Sequence, residues 1–457
     1  MFVKSISKFT SLEVKISKGK NISLKGEAKK VVVEFSSKTY SFKPTNFHGL
    51  KPKLSVKVGD SVLAGDSLFF DKDFEKINFV SSVSGKVEKI IRGEKRKLLE
   101  IVISSNAKNR YKKYNVSGHS KFNIEKLKNL FFESGLWSLI KQRPFDSVAD
   151  PIKSPKSIFI SCFDSSPLAP DYDFMLSGKE KEFQKGIDVI SLLCDGKINL
   201  NIDGDSNSRF FQKIEGVQLN KFYGPHPAGN VGVQIHHVDP INKGDIVWIL
   251  KPQALVTIGH FFLKGMYVND KMFAVTGSEI KKPKYFKSFQ GVNISDFLKG
   301  NLTSGKKRFI SGNVLHGDAI DKDGHVGFFD DQITVIPEGD YYELFGWAMP
   351  GLKKYSFSRA FLSSLLPQRK IVLDTNMHGE ERAYVVSGQY ENVVPMDIFP
   401  VQLIKSILVE DIELMEKLGI YEVAPEDFAL CEFACTSKMP VQEILRHGLD
   451  LVKKECS

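Results

Sequence analysis

The chain has 457 residues, and at roughly 100–200 residues per domain it should hold about three or four domains. Hydrophobic residues make up 42% and charged residues 26%, which argues against a disordered chain, and no run reaches the ~18 apolar residues that cross a bilayer. The net charge of +10 is uneven: residues 1–120 hold 25 Lys+Arg against 11 Asp+Glu, so a basic module precedes a slightly acidic body.

The first twenty residues contain no apolar stretch of signal-peptide length. Five scattered cysteines are too few for a disulfide scaffold, and their odd number suits a reducing compartment. The expectation is a soluble, cytoplasmic chain. Any membrane association would come through partners or through the basic surface.

Residues 1–105 read as short β-strands. Val31–Phe35 and Leu98–Ser104 are two of them. Between them lie two similar units, Val56–Phe69 with a turn at Gly59-Asp60, and Phe79–Ile90 with Gly85 expected at its turn. The pairing resembles the biotinyl/lipoyl-like barrel-sandwich hybrid. Carrier domains of that fold bear a modified lysine between methionines. Lys72 and Lys76 occupy the intervening segment here, but without that motif. The fold is therefore expected without a swinging arm.

Residues 106–255 change pattern. Apolar spacing predicts a helix over Lys121–Ile140. The apolar run Ser157–Phe163 has the look of a parallel strand buried on both faces. A helix over about Gly178–Leu193 and a strand over Lys197–Ile202 complete a βαβ unit of Rossmann type. No G-x-G-x-x-G or P-loop follows either strand. The turn after the first carries Pro167 and Pro170, which cannot offer amides to a phosphate. Dinucleotide binding is thus disfavoured.

In residues 256–375 a strand over Lys271–Gly277, the segment Lys284–Gln290, a short helix near Ile294–Leu298 and a strand over Gln332–Pro337 suggest a β-grasp of SLBB-like type. Residues 376–457 turn helical, near Val401–Leu408, Ile412–Leu418, Pro425–Cys435 and Pro440–Lys454. The fold class is therefore α+β and multidomain. It comprises a barrel-sandwich module (1–105), a Rossmann-like domain without a nucleotide loop (106–255), a β-grasp region (256–375) and a helical end (376–457).

Four strings narrow this further. Glu133-Ser134-Gly135-Leu136-Trp137 followed by Arg143-Pro144-Phe145 resembles an E-S-G-L-W-x(5)-R-P-F signature. Gly224–Gly229 reads G-P-H-P-A-G, Glu343–Gly351 reads E-L-F-G-W-A-M-P-G, and Leu430–Cys435 fits L-C-x-F-x-C. In this order they resemble the A subunits of the bacterial Na⁺-translocating NADH:quinone oxidoreductases. The resemblance implies a peripheral subunit on the cytoplasmic face of the inner membrane, with the B to F subunits as partners and the membrane-embedded B subunit the principal contact. It implies that NADH, FAD, FMN, riboflavin, a [2Fe–2S] centre and ubiquinone are handled in or near other subunits, with no redox cofactor in this chain. In related flavin-binding subunits a glycine-rich loop follows the S-G-L segment. Here Trp137–Pro144 follows, with no glycine.

Candidate quinone or subunit contacts are Trp137, Arg143, Phe145, His226 and Trp347; the plainer readings are a loop-shaping hydrogen bond for His226, an exposed or structural role for Arg143, and a backbone or interface anchor for Trp347. No catalytic residue is assigned. Cys431 and Cys435 supply two thiols where a [4Fe–4S] cluster needs four ligands, so they read as small core residues. His236 and His237, taken as neighbours in a strand, would point to opposite faces and not share an ion. The basic front, Lys51, Lys53 and Lys57 included, is expected to face the membrane surface or the B subunit. Two other classes stay open: a stand-alone flavin or nucleotide oxidoreductase, and a basic nucleic-acid-binding protein. The second lacks a reading motif and favours Lys over Arg, so no nucleic-acid partner is expected.

Overall fold

The front module is built from strands whose apolar residues turn toward one another. A four-stranded sheet, ordered Thr39–Phe42, Leu98–Ser105, Gly85–Arg92 and Ser61–Val62, accompanies a three-stranded sheet of Pro52–Leu54, Ser67–Asp71 and Asn78–Val80. Between them Phe69 stacks on Phe79 at 4.7 Å and Phe42 meets both edge-on. The computed structural model describes residues 11–119, 122–346, 349–352, 354–365 and 370–456.

Gly59 lies at a turn with φ of +97°. Gly85 does not sit at a turn. It opens the strand Gly85–Arg92, where a Cβ would meet the Ser104 carbonyl oxygen at 2.0 Å. The glycine is required by close backbone approach, a second reason for glycine that composition cannot separate from the first.

The strand expected at Val31–Phe35 forms as Lys29–Glu34, but its partner is Lys284–Phe289, to which it runs parallel. It is the edge of a six-stranded mixed sheet that continues through Asp270–Thr276, Gln332–Pro337, Lys307–Ser311 and Asp318–Ile320. Leu12–Lys15 likewise leaves the front module and pairs with Gln218–Tyr223.

The largest sheet has seven strands. Their order is Leu12–Lys15, Gln218–Tyr223, Lys197–Asp203, Ser157–Ser161, Val247–Leu250, Lys141–Arg143 and Ser147–Val148. The first five are parallel, Lys141–Arg143 runs against them, and Ser147–Val148 pairs antiparallel with it. The apolar run Ser157–Ser161 is central, as its two-sided burial requires. Ile158 and Ile160 enter one core, shared with Phe183, Leu255 and Ile258. Phe159 enters a second core, shared with Val233, Leu403 and Leu445.

On the first face the helices Glu180–Ile190 and Pro252–Lys264 touch backbone to backbone. A Cβ on Gly259 would stand 1.7 Å from the Glu182 carbonyl oxygen, and one on Gly186 would stand 2.3 Å from that of Leu255. Gly259→Ala should therefore destabilise the fold by about 1–3 kcal/mol, the usual range for overpacking. The check is a lower urea midpoint at unchanged slope.

The helix predicted over Lys121–Ile140 ends earlier. It spans Ile124–Ser134, stops at left-handed Gly135 (φ +76°), and gives way to a 3-10 turn over Leu136–Leu139. At the far end of the chain lie helices Pro400–Leu408, Ile412–Lys417, Ala429–Ala434 and Val441–Cys456. A 3-10 turn over Pro425–Phe428 precedes the third. Cys431 and Cys435 are buried there as core side chains, and among the described residues no group of His, Cys, Asp or Glu is placed to hold a metal.

Candidate functional site: a crevice at the carboxyl ends of the parallel strands

The chain crosses from one side of Ser157–Ser161 to the other when Gln218–Tyr223 leads, through helix Val231–Val238, into Val247–Leu250. Strand order thus reverses between Ser157–Ser161 and Val247–Leu250, the place where parallel α/β sheets open a ligand crevice. A cavity of about 310 Å³ lies there. Asp164 and Lys251 reach it from the ends of the two strands, and Asn230 from the start of the helix. Asp330, Glu426 and Arg446 close it from the six-stranded sheet and the C-terminal helices. Burial lowers the Lys251 pKa, but Asp331, Asp164, Glu426 and Asp330 outweigh it, so the net shift is upward and the ammonium stays charged.

The loops at the crevice turn their amides inward. The Ala228 amide donates to the Pro225 carbonyl (2.9 Å) and the Asn230 amide to the Pro227 carbonyl (2.8 Å). The Gly229 amide donates to Ser165 Oγ (2.8 Å), and the same hydroxyl pairs with His226 Nδ1 at 3.1 Å. A Cβ on Gly229 would meet the Ser165 nitrogen at 2.4 Å, so the two loops are locked together. These bonds fix the three amides that precede helix Val231–Val238 within the loops.

His226 is buried. Its own amide donates to Asn21 Oδ1 (2.8 Å), and among the described residues its Nε2 has no hydrogen-bond partner. Burial pulls its pKa down to about 4, with Asp164 opposing and His316 assisting.

Arg143 is a fully buried arginine. Its Nη1 donates to Asp427 Oδ2 (2.9 Å) and its Nη2 to Glu426 Oε1 (2.7 Å). Asp427 Oδ2 also accepts the Ala424 amide (2.9 Å). A Cβ on Gly232 would sit 2.3 Å from that same oxygen, so a glycine in the first turn of helix Val231–Val238 makes room for the carboxylate. Burial raises the Asp427 pKa, and the Glu426 charge adds to the rise against the pull of Arg143. Burial also works against the Glu426 carboxylate, yet Arg143 holds it below the ordinary range.

Phe145 and Asp146 follow in left-handed conformations, φ +79° and +50°. Phe145 is partly buried against Tyr421, and its carbonyl accepts from Arg446 Nη1 (2.8 Å). Asp146 pairs with Lys141 at 2.5 Å and with Arg446 at 3.6 Å. Burial opposes its charge, but Lys141, Arg143 and Arg446 bring its pKa to about 2.

Trp137 is buried away from the crevice. Its Nε1 donates to the Ala149 carbonyl (2.8 Å), and its ring meets Trp248 edge-on. Trp347 lies outside the described residues. His236 and His237 are not in a strand: they occupy the last turn of helix Val231–Val238. The prolines and glycines of residues 224–229 concealed the helix that follows them. His236 pairs with Glu422 (2.8 Å) and accepts from the Asp397 amide, while His237 faces the Pro395 carbonyl, so both fasten the C-terminal segment.

Three family models match in chain order. The NqrA N-terminal barrel-sandwich hybrid domain covers residues 14–106, the NqrA second alpha/beta domain residues 122–267, and the NQRA C-terminal domain, of SLBB type, residues 272–322. The A subunit of the Na(+)-translocating NADH-quinone reductase of Haemophilus influenzae is 36% identical over 412 residues, covering 89% of this chain and 92% of the relative. That of Yersinia pseudotuberculosis is 35% identical over 411 residues, with the same coverage. That of Neisseria meningitidis is 33% identical over 447 residues, 97% of this chain and 100% of its own.

The chain belongs to the family of A subunits of Na(+)-translocating NADH-quinone reductases. The similarity to the Neisseria relative spans nearly the whole chain, past the third family model, which ends at residue 322. The barrel-sandwich and SLBB assignments of the sequence thus hold at family level. Sequence reasoning missed Glu426, Asp427, Gly232, Lys251 and Arg446. The acidic pair after Pro425 was a visible signal, but its partner Arg143 lies more than 280 positions away.

Proposed function

We propose that the chain is a peripheral, cytoplasmic-face component of a Na⁺-translocating NADH-quinone reductase. It docks on the membrane subunits, the B subunit first among them, and supports ubiquinone reduction coupled to Na⁺ export without a redox cofactor of its own. The observation that carries this reading is membership of the A-subunit family, with relatives 33–36% identical over most of the chain. The Trp137–Pro144 segment after Ser134-Gly135-Leu136 contains no glycine to admit a flavin phosphate, which supports the cofactor-free part. NADH, the flavins FAD, FMN and riboflavin, and the [2Fe–2S] centre would then reside in other subunits.

Two further features support docking. No helix among the described residues is long and apolar enough to cross a membrane, so attachment would run through partners. The segment around the E-L-F-G-W string exposes Tyr342, Leu344, Phe345 and Met349, an apolar surface of the kind that partners cover. Of the described candidates only Phe145 is less than fully buried, so a partner or quinone contact is proposed there, with Trp137, Arg143 and His226 acting by positioning. Isolation through an affinity tag from solubilised membranes tests the reading. Co-isolation with the other subunits and with Na⁺-stimulated NADH-quinone activity is expected, and a free chain without membrane partners would overturn it.

A further inference from the structure

The basic balance of the front module has a local focus. Lys51 and Lys53, expected from sequence to face a partner, are partly neutralised: Lys51 pairs with Asp73 at 3.0 Å and Lys53 approaches Glu75 at 3.8 Å. Beside them lies a cleft of about 650 Å³, between the front module and the last helix. Lys72, Arg92, Arg96 and Lys97 line it, and among the described residues none of the four pairs with a carboxylate. Among the described residues lining the cleft, Asp450 is the one acidic side chain, and it lies 3.8 Å from Arg446 Nη1.

The hairpin that presents the cations is unusual in its backbone. Lys95 and Arg96 adopt φ of +49° and +60°, a left-handed pair normally given to Asn and Gly, and each non-glycine residue there carries a cost. The Arg92 guanidinium donates to the Arg96 carbonyl (3.1 Å), which ties the two arginines to one rim. Opposite, the last helix brings Lys453 to the edge of the cleft: its Nζ would be 3.1 Å from a Cβ on Gly49. Burial lowers the Lys453 pKa, against the pull of Asp450 and Asp71. Phe47, Leu50 and Leu98 add apolar surface to the lining.

Uncompensated guanidinium and ammonium groups around a concave space are the chemistry that receives phosphate oxygens, with arginine forks binding two oxygens at once. The apolar lining suits the organic part of an ester. The volume is that of a small-ligand pocket. We propose that this cleft binds a phosphate-bearing ligand, its anionic oxygens held by Lys72, Arg92, Arg96 and Lys97. The phosphate could belong to a soluble ester or to a phospholipid headgroup at the membrane surface.

The test compares the whole chain with the triple variant Arg92→Glu, Arg96→Glu, Lys97→Glu. A charge-matched control carries Lys281→Glu, Lys282→Glu and Lys299→Glu on the far module. Circular dichroism and the thermal midpoint report that each is folded. Calorimetric titration with inorganic pyrophosphate gives the soluble arm. Co-sedimentation with vesicles of phosphatidylglycerol and phosphatidylcholine gives the lipid arm. Wild type and control should bind alike, and the triple variant at least tenfold more weakly, in one arm or both. Loss in the pyrophosphate arm alone supports a soluble ester, and loss with vesicles supports a headgroup. Equal weakening in variant and control, equal binding by all three proteins, or no binding by the wild type in either arm would overturn the proposal.

Discussion

Arg143→Met should destabilise the fold by about 3–5 kcal/mol, the range for removing one partner from a buried ion pair. The variant leaves Asp427 and Glu426 without their guanidinium, and Asp427 is fully buried with its Oδ1 already lacking a partner among the described residues. The loss would concentrate where the pair joins two parts of the chain, the Lys141–Val148 hairpin and the turn Pro425–Phe428. Limited proteolysis should therefore cut near residues 424–427 before the variant unfolds globally. Arg143→Lys should recover only part of the loss, because one ammonium cannot reproduce two guanidinium bonds to two carboxylates. Combining Arg143→Met with Asp427→Leu should cost less than the sum of the single changes, since the second removes the charge that the first strands. Urea unfolding of the four proteins checks this. Additive losses would mean that Arg143 and Asp427 do not act together.

Acid should weaken the fold through His226. Its folded pKa is about 4, against the ordinary 6.5, because the buried ring is kept neutral. The sign follows from proton binding. Above about pH 6.5 both folded and unfolded chains carry a neutral ring, and the stability is fully present. As pH falls from 6.5 toward 4 the unfolded chain takes up a proton that the folded chain refuses, and stability is lost. A difference of this size corresponds to about 3 kcal/mol. His237 and His260 are also lowered by burial and add slope in the same direction. The contribution of His226 is isolated by comparison with His226→Asn, whose side chain can still pair with the Ser165 hydroxyl. Unfolding free energies at pH 7.5, 6 and 4.5 should fall less steeply for the variant. Parallel curves would show that the folded chain takes up the ring proton over the same pH range as the unfolded chain.

Much of the architecture was legible because local patterns sufficed. The apolar run Ser157–Ser161 announced a central parallel strand, and the stripes at Pro400–Leu408 and Val441–Cys456 announced helices. What stayed hidden was pairing over long distance. Nothing within Leu12–Lys15 or Lys29–Glu34 says that their partners lie more than 200 positions away, so local pattern alone puts both strands in the front module. Arg143 was visible as a motif residue but open between an exposed, a structural and a quinone-binding reading, because its carboxylates come from the last fifty residues. His236 and His237 lie in a helix rather than a strand, so it is their separate partners, not opposite strand faces, that keep them apart. The prolines after Ser157–Ser161 were legible, yet the locking of Ser165 with His226 and Gly229 joins residues more than sixty positions apart.

The central claim is that the chain contributes by assembly, not by carrying electrons on a cofactor of its own. Its most direct test is the visible spectrum of the full chain purified natively, followed by addition to membranes from cells lacking it. The account predicts no flavin band near 450 nm and restored Na⁺-stimulated NADH-quinone activity. A near-stoichiometric flavin band on the isolated chain, or activity unaffected by its absence, would contradict it.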